Sequence, residues 1–481
     1  MQPPVALSEP IPAPTPTAIR TIALIGGGFS TLSLLLSLRR QQAGAQLRVV
    51  VFEPRAQLGG GLAYSPWELG GWGPLLNVPA GRMGAVSGDE QGFARWWVAQ
   101  GGTAHGFAPR AAYGRYLAAC AAQCMAQSEP GDAARFEHRR QAVRRLRRGA
   151  NAWELGLDDG SAFNADAAVL ACGPASRDRP IGPWGEPGWV LDPWVQGEQL
   201  DALPSHAPVL LLGSGLSAVD VWQRLSLRRP SGPVLMLSRH GWLPQAHRDR
   251  EHPPRPGLLP TDVLSGMHTA GALLRGFRRL QQELSGQGLD WRDVMADLRA
   301  HTPRLWQQLP AVEQRRALRH LQALWDSHRH RLAPAVSVQL QAALQSGALR
   351  TWAGRLLKGE VQGKLWRLDV QTRGGERRQL DAVAVVNCTG PAPPSCAAAD
   401  PLLEQAYADG TLQRHANGLG PSCDASGRPL TASGATQPGL WLLGPLLRAR
   451  DWEASAVPEL REHASALAAR LVAEAEHGFS R

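Results

Sequence analysis

The sequence predicts an α/β protein with two doubly wound parallel-sheet units and a mostly helical insertion within the second. Three observations carry this. A short apolar run breaks into glycines and passes into helical periodicity at Thr21–Leu38, and the same pattern recurs at Pro208–Trp222. After the second, Thr269–Leu284, Trp291–Leu298 and Val312–Leu332 have the apolar spacing of amphipathic helices. At about 100–200 residues per domain, 481 residues provide for two or three domains.

In the first unit, Thr21-Ile-Ala-Leu-Ile-Gly-Gly-Gly-Phe-Ser30 reads as strand, tight turn and helix start. Leu47–Phe52 is a second strand, ending in the acid Glu53, 27 residues after Gly26. Gly26 permits the turn, and Gly28 removes the side chain where a pyrophosphate approaches the backbone. Phe29 and Ser30 open a helix whose N–H groups and dipole face the phosphates, while Glu53 accepts from the adenosine ribose hydroxyls. Thr31 replaces the usual third glycine, a departure expected to loosen helix–strand packing. The bland alternative is a glycine turn of an unrelated α/β protein.

In the second unit, Gly213, Gly215 and Ala218 repeat the pattern, with Ser217 in the first turn of the next helix. The following strand, Val234–Leu237, ends in Ser238-Arg239-His240 rather than in an acid. A hydroxyl and a guanidinium suit a 2′-phosphate, which favours NADPH over NADH; alternatively Arg239 stacks on the adenine. Each unit closes alike: Ala165–Pro174 parallels Leu380–Pro391, each after a hairpin-like stretch. Two dinucleotide sites in one chain make reduction of FAD by NADH or NADPH the leading chemistry. The expected organisation is a flexible tail at 1–20, an FAD domain from 21–195 and 376–481, and an NAD(P) domain at 196–375 with its helical insertion near 255–348.

Composition narrows the alternatives. The net charge of +10 suggests a nucleic-acid binder, yet only Lys358 and Lys364 are lysines and the arginines are spread along the whole chain. Nucleic acid is therefore not an expected partner. No apolar run reaches the ~18 residues of a membrane span, and the Pro-rich start lacks the basic and apolar regions of a signal peptide. A reducing cytoplasmic setting is expected. The six cysteines contain no CxxC, which excludes a zinc knuckle or dithiol centre, and no metal site is expected.

Several longer motifs resemble a family. Leu58–Ser65, Leu75–Met83, Phe107–Arg110, Tyr113–Leu117, Gly213–Asp220, Trp325–Pro334, Gly444-Pro445 and Trp452–Arg461 resemble signatures of bacterial FAD/NAD(P)-binding proteins, a family that includes FAD-dependent urate hydroxylase. The chain is more distantly similar to flavin N-hydroxylases. The resemblance implies a monooxygenase taking a small-molecule substrate and molecular oxygen. Through a C4a-hydroperoxyflavin it would convert urate to 5-hydroxyisourate in purine catabolism. Gly61 would pass under the flavin, Asn77 and Arg82 would meet its ring edge or diphosphate, and Gly444 would lie beside its pyrimidine. Asp451 or Glu453 would reach the ribityl chain. Asn77 and Arg82 read equally well as turn and loop caps, and Tyr64 as core.

For an anionic planar substrate the candidate ligands are His328, Arg329 and Arg331, since arginine forks match carboxylate-like edges. The competing reading is a basic helix end. No catalytic side chain is assigned, because the cofactors supply the reactivity. An amine N-hydroxylase and a non-catalytic FAD/NAD(P)-binding protein remain as rivals. A dithiol reductase is disfavoured, and no F-x-G-x-x-x-H stretch supports a Baeyer–Villiger enzyme.

Overall fold

The computed structural model describes residues 20–41, 47–64, 73–126, 134–173, 180, 182–229, 231–249, 255–260, 264, 266–390, 400–477 and 479. The expected N-terminal tail lies outside these, apart from Arg20.

The apolar run at Arg20–Ile25 forms β1 and feeds α1 (Phe29–Arg40) and β2 (Leu47–Phe52), with Ile22 opposite Val49 in a parallel ladder. Two helices, α2 (Gly92–Ala99) and α3 (Arg110–Ala126), precede β3 (Ala134–Arg139). A small antiparallel sheet of β4 (Val143–Arg148), β5 (Trp153–Leu157) and β6 (Ala162–Ala165) realises the first hairpin pattern, and β7 (Ala167–Leu170) returns to the parallel sheet.

The second unit comprises β8 (Trp189–Val190), α4 (Gly197–Asp201), β9 (Val209–Leu212), α5 (Leu216–Arg228) and β10 (Val234–Ser238). Among the described residues, α6 (Ala270–Gly286), α7 (Trp291–Gln308), α8 (Ala311–His320) and α9 (Gln322–Arg329) follow. Helix α10 (Pro334–Ser346) leads into β11 (Leu349–Gln362), β12 (Leu365–Thr372), β13 (Arg377–Ala382) and β14 (Ala384–Asn387). The chain then returns through α11 (Pro401–Ala408), β15 (Leu440–Leu442) and α12 (Val457–His477) to the first unit.

The strand orders are β15-β7-β1-β2-β3 and β13-β12-β11-β10-β9-β14-β8. Their central strands, such as Ile22–Leu24 and Val209–Leu211, are wholly buried, as near-continuous apolar strands covered on both faces should be. The α/β architecture with two doubly wound units and a helical insertion is as the sequence predicts; the second sheet adds an antiparallel edge, β11-β12-β13, to its parallel strands.

The domain boundaries shift. Strand β8 pairs with β14, and β14 with β9, so Trp189–Val190 and Arg377–Asn387 belong to the second unit, not to the first as boundaries at 195 and 375 would have them. The closing strand completes the sheet of the unit that its hairpin precedes. The insertion also ends earlier than 348: Leu332, Ala333, Val336 and Leu340 pack on the second sheet, making α10 the crossover helix between parallel β10 and β11. Within the insertion, α7 continues through Pro303 to bury Leu305 and Trp306, and the expected 312–332 helix breaks at Leu321 into α8 and α9.

Candidate active site

Each glycine turn does what its spacing requires. Gly26 has φ +103°, and a Cβ there would strike the Ala171 carbonyl; Gly213, at φ +112°, is the same against Cys388. Gly28 and Gly215 are the N-caps of α1 and α5, and neither helix has a side-chain cap or an acid in its first turn. The first four N–H groups of a helix have no intrahelical partner, so both ends present donors to an anion. The space in front of them is open. A Cβ on Gly28 would meet only the Gly61 Cα at 3.8 Å, and one on Gly215 nothing within 4 Å. Gly61 therefore comes within van der Waals reach of Gly28, and neither puts a side chain before the α1 N-terminus, where a diphosphate would sit.

Thr31, expected to loosen the packing, is buried and donates its hydroxyl to the Gly26 carbonyl at 2.6 Å, so it braces the turn. Phe29 is buried in the core beside Tyr113, and Ser30 is buried in the first turn of α1. The chain's return brings Gly444 onto that serine. Its φ is +78°, and a Cβ there would lie 2.8 Å from Ser30 Oγ.

Glu53 is buried at the tip of β2. Its Oε2 accepts from the Gly27 amide at 2.9 Å, and its Oε1 accepts from the Arg55 amide at 3.0 Å. The Arg55 guanidinium donates to both oxygens, at 2.9 Å each. Burial alone would raise the Glu53 pKa; these bonds outweigh it and hold the carboxyl below its usual range. Ribose hydroxyls would have to take the place of the half-exposed Arg55 guanidinium, because each carboxylate oxygen already accepts two bonds.

The second glycine turn opens into a cleft of about 780 Å³. Gly213, Gly215, Ser217, Ser238 and Arg239 all line it. Ser238 Oγ is a turn brace, receiving Ser214 Oγ at 2.8 Å and the Gly241 amide at 2.9 Å. Arg239 is exposed, Arg373 donates to His240 Nδ1 at 3.3 Å, and Trp242 stacks on that imidazole at 4.5 Å. The same cleft reaches Arg448 and Ser455, beyond the Gly444 turn of the first unit.

A second cleft, about 1130 Å³, lies where the first unit, the second unit and the insertion meet. Arg82, Arg95, Arg248, Arg292, Arg331, His105 and His247 line it, against Asp249 and Asp293. Arg82 ends a short 3-10 turn, Ala80–Arg82. The Asn77 carbonyl accepts from His247 Nε2 at 2.9 Å, linking the two units. Burial, then Arg331, lowers the His247 pKa to about 4 against the opposing Asn77 bond, so its imidazole is neutral at pH 7.

Of the proposed substrate ligands, only Arg331 faces this cleft. Arg329 is buried and donates through Nε to Glu453 Oε2 at 2.8 Å. His328 hydrogen-bonds the Leu324 carbonyl of its own helix, packs edge-on against Trp291 and lines an apolar cavity of about 280 Å³ inside the insertion. The helix ends at Arg329, so Arg331 leaves in another direction. Asp451 and Glu453 already have protein partners: Asp451 accepts from Gln307 at 2.8 Å, and Glu453 from Trp325 at 3.0 Å as well as from Arg329. Tyr64 packs edge-to-face on Tyr113, as core. Sequence reasoning missed His247, Arg248 and Arg292, which no local motif marks. Among the described residues no group of three or more His, Cys, Asp or Glu side chains could hold a metal ion, and no helix is long and apolar enough to cross a membrane.

Two doubly wound units, each with a glycine turn at a helix N-terminus, have the architecture of paired dinucleotide-binding domains. Residues 23–175 match a family described as FAD-NAD(P)-binding. Among solved structures, the chain is similar to the ornithine N-hydroxylase of Kutzneria sp. 744, solved with reduced FAD, NADP+ and L-ornithine. The identity is 14%, over 94% of this chain and 99% of that one, with a TM-score of 0.64. It is similar to L-lysine 6-monooxygenase from Pseudomonas syringae, at 18% identity over 95% and 99%, with a TM-score of 0.61. It also resembles Lactococcus lactis thioredoxin reductase, at 11% identity over 95% and 99%, with a TM-score of 0.52. At these identities the likeness is one of fold. No curated protein sequence matches the chain.

Proposed function

We propose that the protein is an FAD-dependent, NAD(P)H-consuming monooxygenase that hydroxylates a small molecule with molecular oxygen. The observation that carries this reading is the cleft running from the second glycine turn to Arg448 and Ser455, on the segment that follows Gly444, whose backbone lies against Ser30 of the first turn. A nicotinamide bound along it would be delivered to the flavin side of the molecule. Bound FAD supplies hydride acceptance and oxygen activation.

The chain's residues hold and orient. Gly28, Gly61 and the amides of α1 receive the FAD diphosphate, and Glu53 the ribose. Gly215 and the amides of α5 receive the nicotinamide nucleotide's diphosphate. Arg239 and Arg373, with no acid at the strand tip, favour a 2′-phosphate and so NADPH. The missing CxxC separates this reading from the dithiol chemistry of the thioredoxin reductase that shares the fold.

For the substrate, the basic cleft supports an anion such as urate, with 5-hydroxyisourate as the product. A second reading, N-hydroxylation of an amine, draws on the structural relatives, which are named for ornithine and lysine. The test is oxidation of NADH and NADPH by the FAD-loaded protein with oxygen monitored, with and without urate, L-ornithine and L-lysine. A urate-dependent rise in both rates with loss of urate absorbance supports the first reading, and an amine-dependent rise the second. Failure of either nucleotide to reduce the flavin with any substrate would leave a binding protein.

A further inference from the structure

We propose that the cleft lined by Arg82, Arg292 and Arg331 binds a small planar organic anion, whose negative group is received by the Arg331 guanidinium beside Trp291. This rests on reading the cleft as the substrate site and narrows the substrate to carboxylates and other resonance-stabilised anions.

The charges around the cleft are unevenly matched. Arg95 pairs with Asp89 at 2.5 Å, and Arg248 with Asp293 at 2.7 Å. Arg292 pairs with Asp290 at 3.2 Å and donates to the Ala246 carbonyl. Arg331 has no acid and no hydrogen-bond partner among the described residues; its guanidinium carbon lies 5.7 Å from the Trp291 ring centre, and its Nε is buried and unpaired. Buried polar groups are normally satisfied, so an orphaned donor on a group that cannot shed its charge marks a missing acceptor.

The electrostatics agree. Burial, then the guanidinium groups of Arg329, Arg292, Arg248 and Arg82, pull the Arg331 pKa down to about 10. An anion placed there would relieve both the repulsion and the orphaned donor. A planar anion suits the site because a guanidinium donates two parallel bonds to a carboxylate-like edge, and the Trp291 ring, which also carries the Arg292 guanidinium at 4.5 Å, backs the Arg331 fork. His247 adds no charge. Its Nε2–H donates to Asn77, which leaves Nδ1 as an acceptor for a donor group on the ligand. Among the described residues lining the cleft, a dicationic diamine would meet this field with only the exposed Asp249 not already held by an arginine.

The experiment is isothermal titration calorimetry on the FAD-loaded protein without NAD(P)H, using benzoate and its uncharged isostere benzamide. Benzoate is expected to bind, and benzamide at least tenfold more weakly. Arg331→Gln should weaken benzoate at least tenfold, and Arg331→Lys, which keeps the charge but loses the fork, by less. Variants are compared at matched FAD content, so misfolding is recognised separately, and Arg292→Gln, expected to weaken benzoate less than Arg331→Gln, gives a second substitution in the same cleft. Absence of benzoate binding, equal binding of benzamide, or an unchanged benzoate affinity in folded Arg331→Gln would each overturn the proposal. No turnover is involved, so these outcomes are independent of whether the protein oxidises NADPH.

Discussion

Arg329 and Glu453 form a buried ion pair, with Nε and Nη2 of the arginine each 2.8 Å from Oε2 of the glutamate. It joins the end of the insertion's last helix to the segment after Gly444, and Trp325 occupies the other carboxylate oxygen. Nearby, Trp325 stacks on Trp452, and Trp452 lies 4.7 Å from Trp306, so charge and aromatic surface hold the insertion to the first unit together.

Removing one member of that pair should therefore cost far more than removing both. Glu453→Ala leaves a buried guanidinium uncompensated and is expected to lower stability by about 3–5 kcal/mol. The double variant Arg329→Met/Glu453→Leu should recover most of that loss. Urea unfolding of the wild type, the single and the double variant reads it; additive losses would mean the pair is not coupled.

The two glycines of the first turn should fail differently. Gly28 has ordinary backbone angles and open space ahead, so Gly28→Val should fold and lose FAD. Gly26→Val places a branched side chain at φ +103° against the Ala171 carbonyl and should destabilise the domain itself. Flavin stoichiometry together with thermal melting separates the cases. Full FAD content in Gly28→Val would remove it from the diphosphate site.

Arg239→Ala should raise KM for NADPH by roughly tenfold or more, the range of a lost charge-assisted hydrogen bond, and leave NADH nearly unchanged. Equal effects on the two nucleotides would mean that Arg239 does not read the 2′-phosphate.

Asp220 links stability to pH. It is buried in α5, 3.0 Å from Arg110 of the first unit, and burial outweighs that arginine to raise its pKa to about 6. The folded state thus holds the proton more tightly than the unfolded chain. Its contribution is fully present below about pH 4 and is lost as pH rises through 6, by at most about 3 kcal/mol. Urea unfolding at pH 5 and 7.5 should show a smaller pH dependence in Asp220→Asn than in the wild type; identical slopes would contradict this.

Much of this could be read from residues alone where the physics is local. A glycine turn between an apolar strand and a helix is a short-range pattern, and Gly26, Gly28, Gly213 and Gly215 stand where it puts them. What escaped depends on contacts between distant segments. His247 meets Asn77 across 170 residues, and neither neighbourhood advertises the other. Arg329 and Arg331 are two positions apart, yet one turns into a salt bridge and the other into a cleft, because the helix stops between them. Periodicity does not fix a helix end to within two residues. The same holds for Thr31, whose hydroxyl bond back to Gly26 no spacing rule encodes.

The seat of Gly444 on Ser30 has a consequence for how the protein is made. Strand β15 joins the first sheet 270 residues after β7, the neighbour it pairs with, and α12 then packs on α1. During synthesis the second unit and the helical insertion emerge in full while the first unit still lacks an edge strand and a covering helix. If FAD seats at the first glycine turn, its uptake is expected to follow the synthesis of β15 and α12.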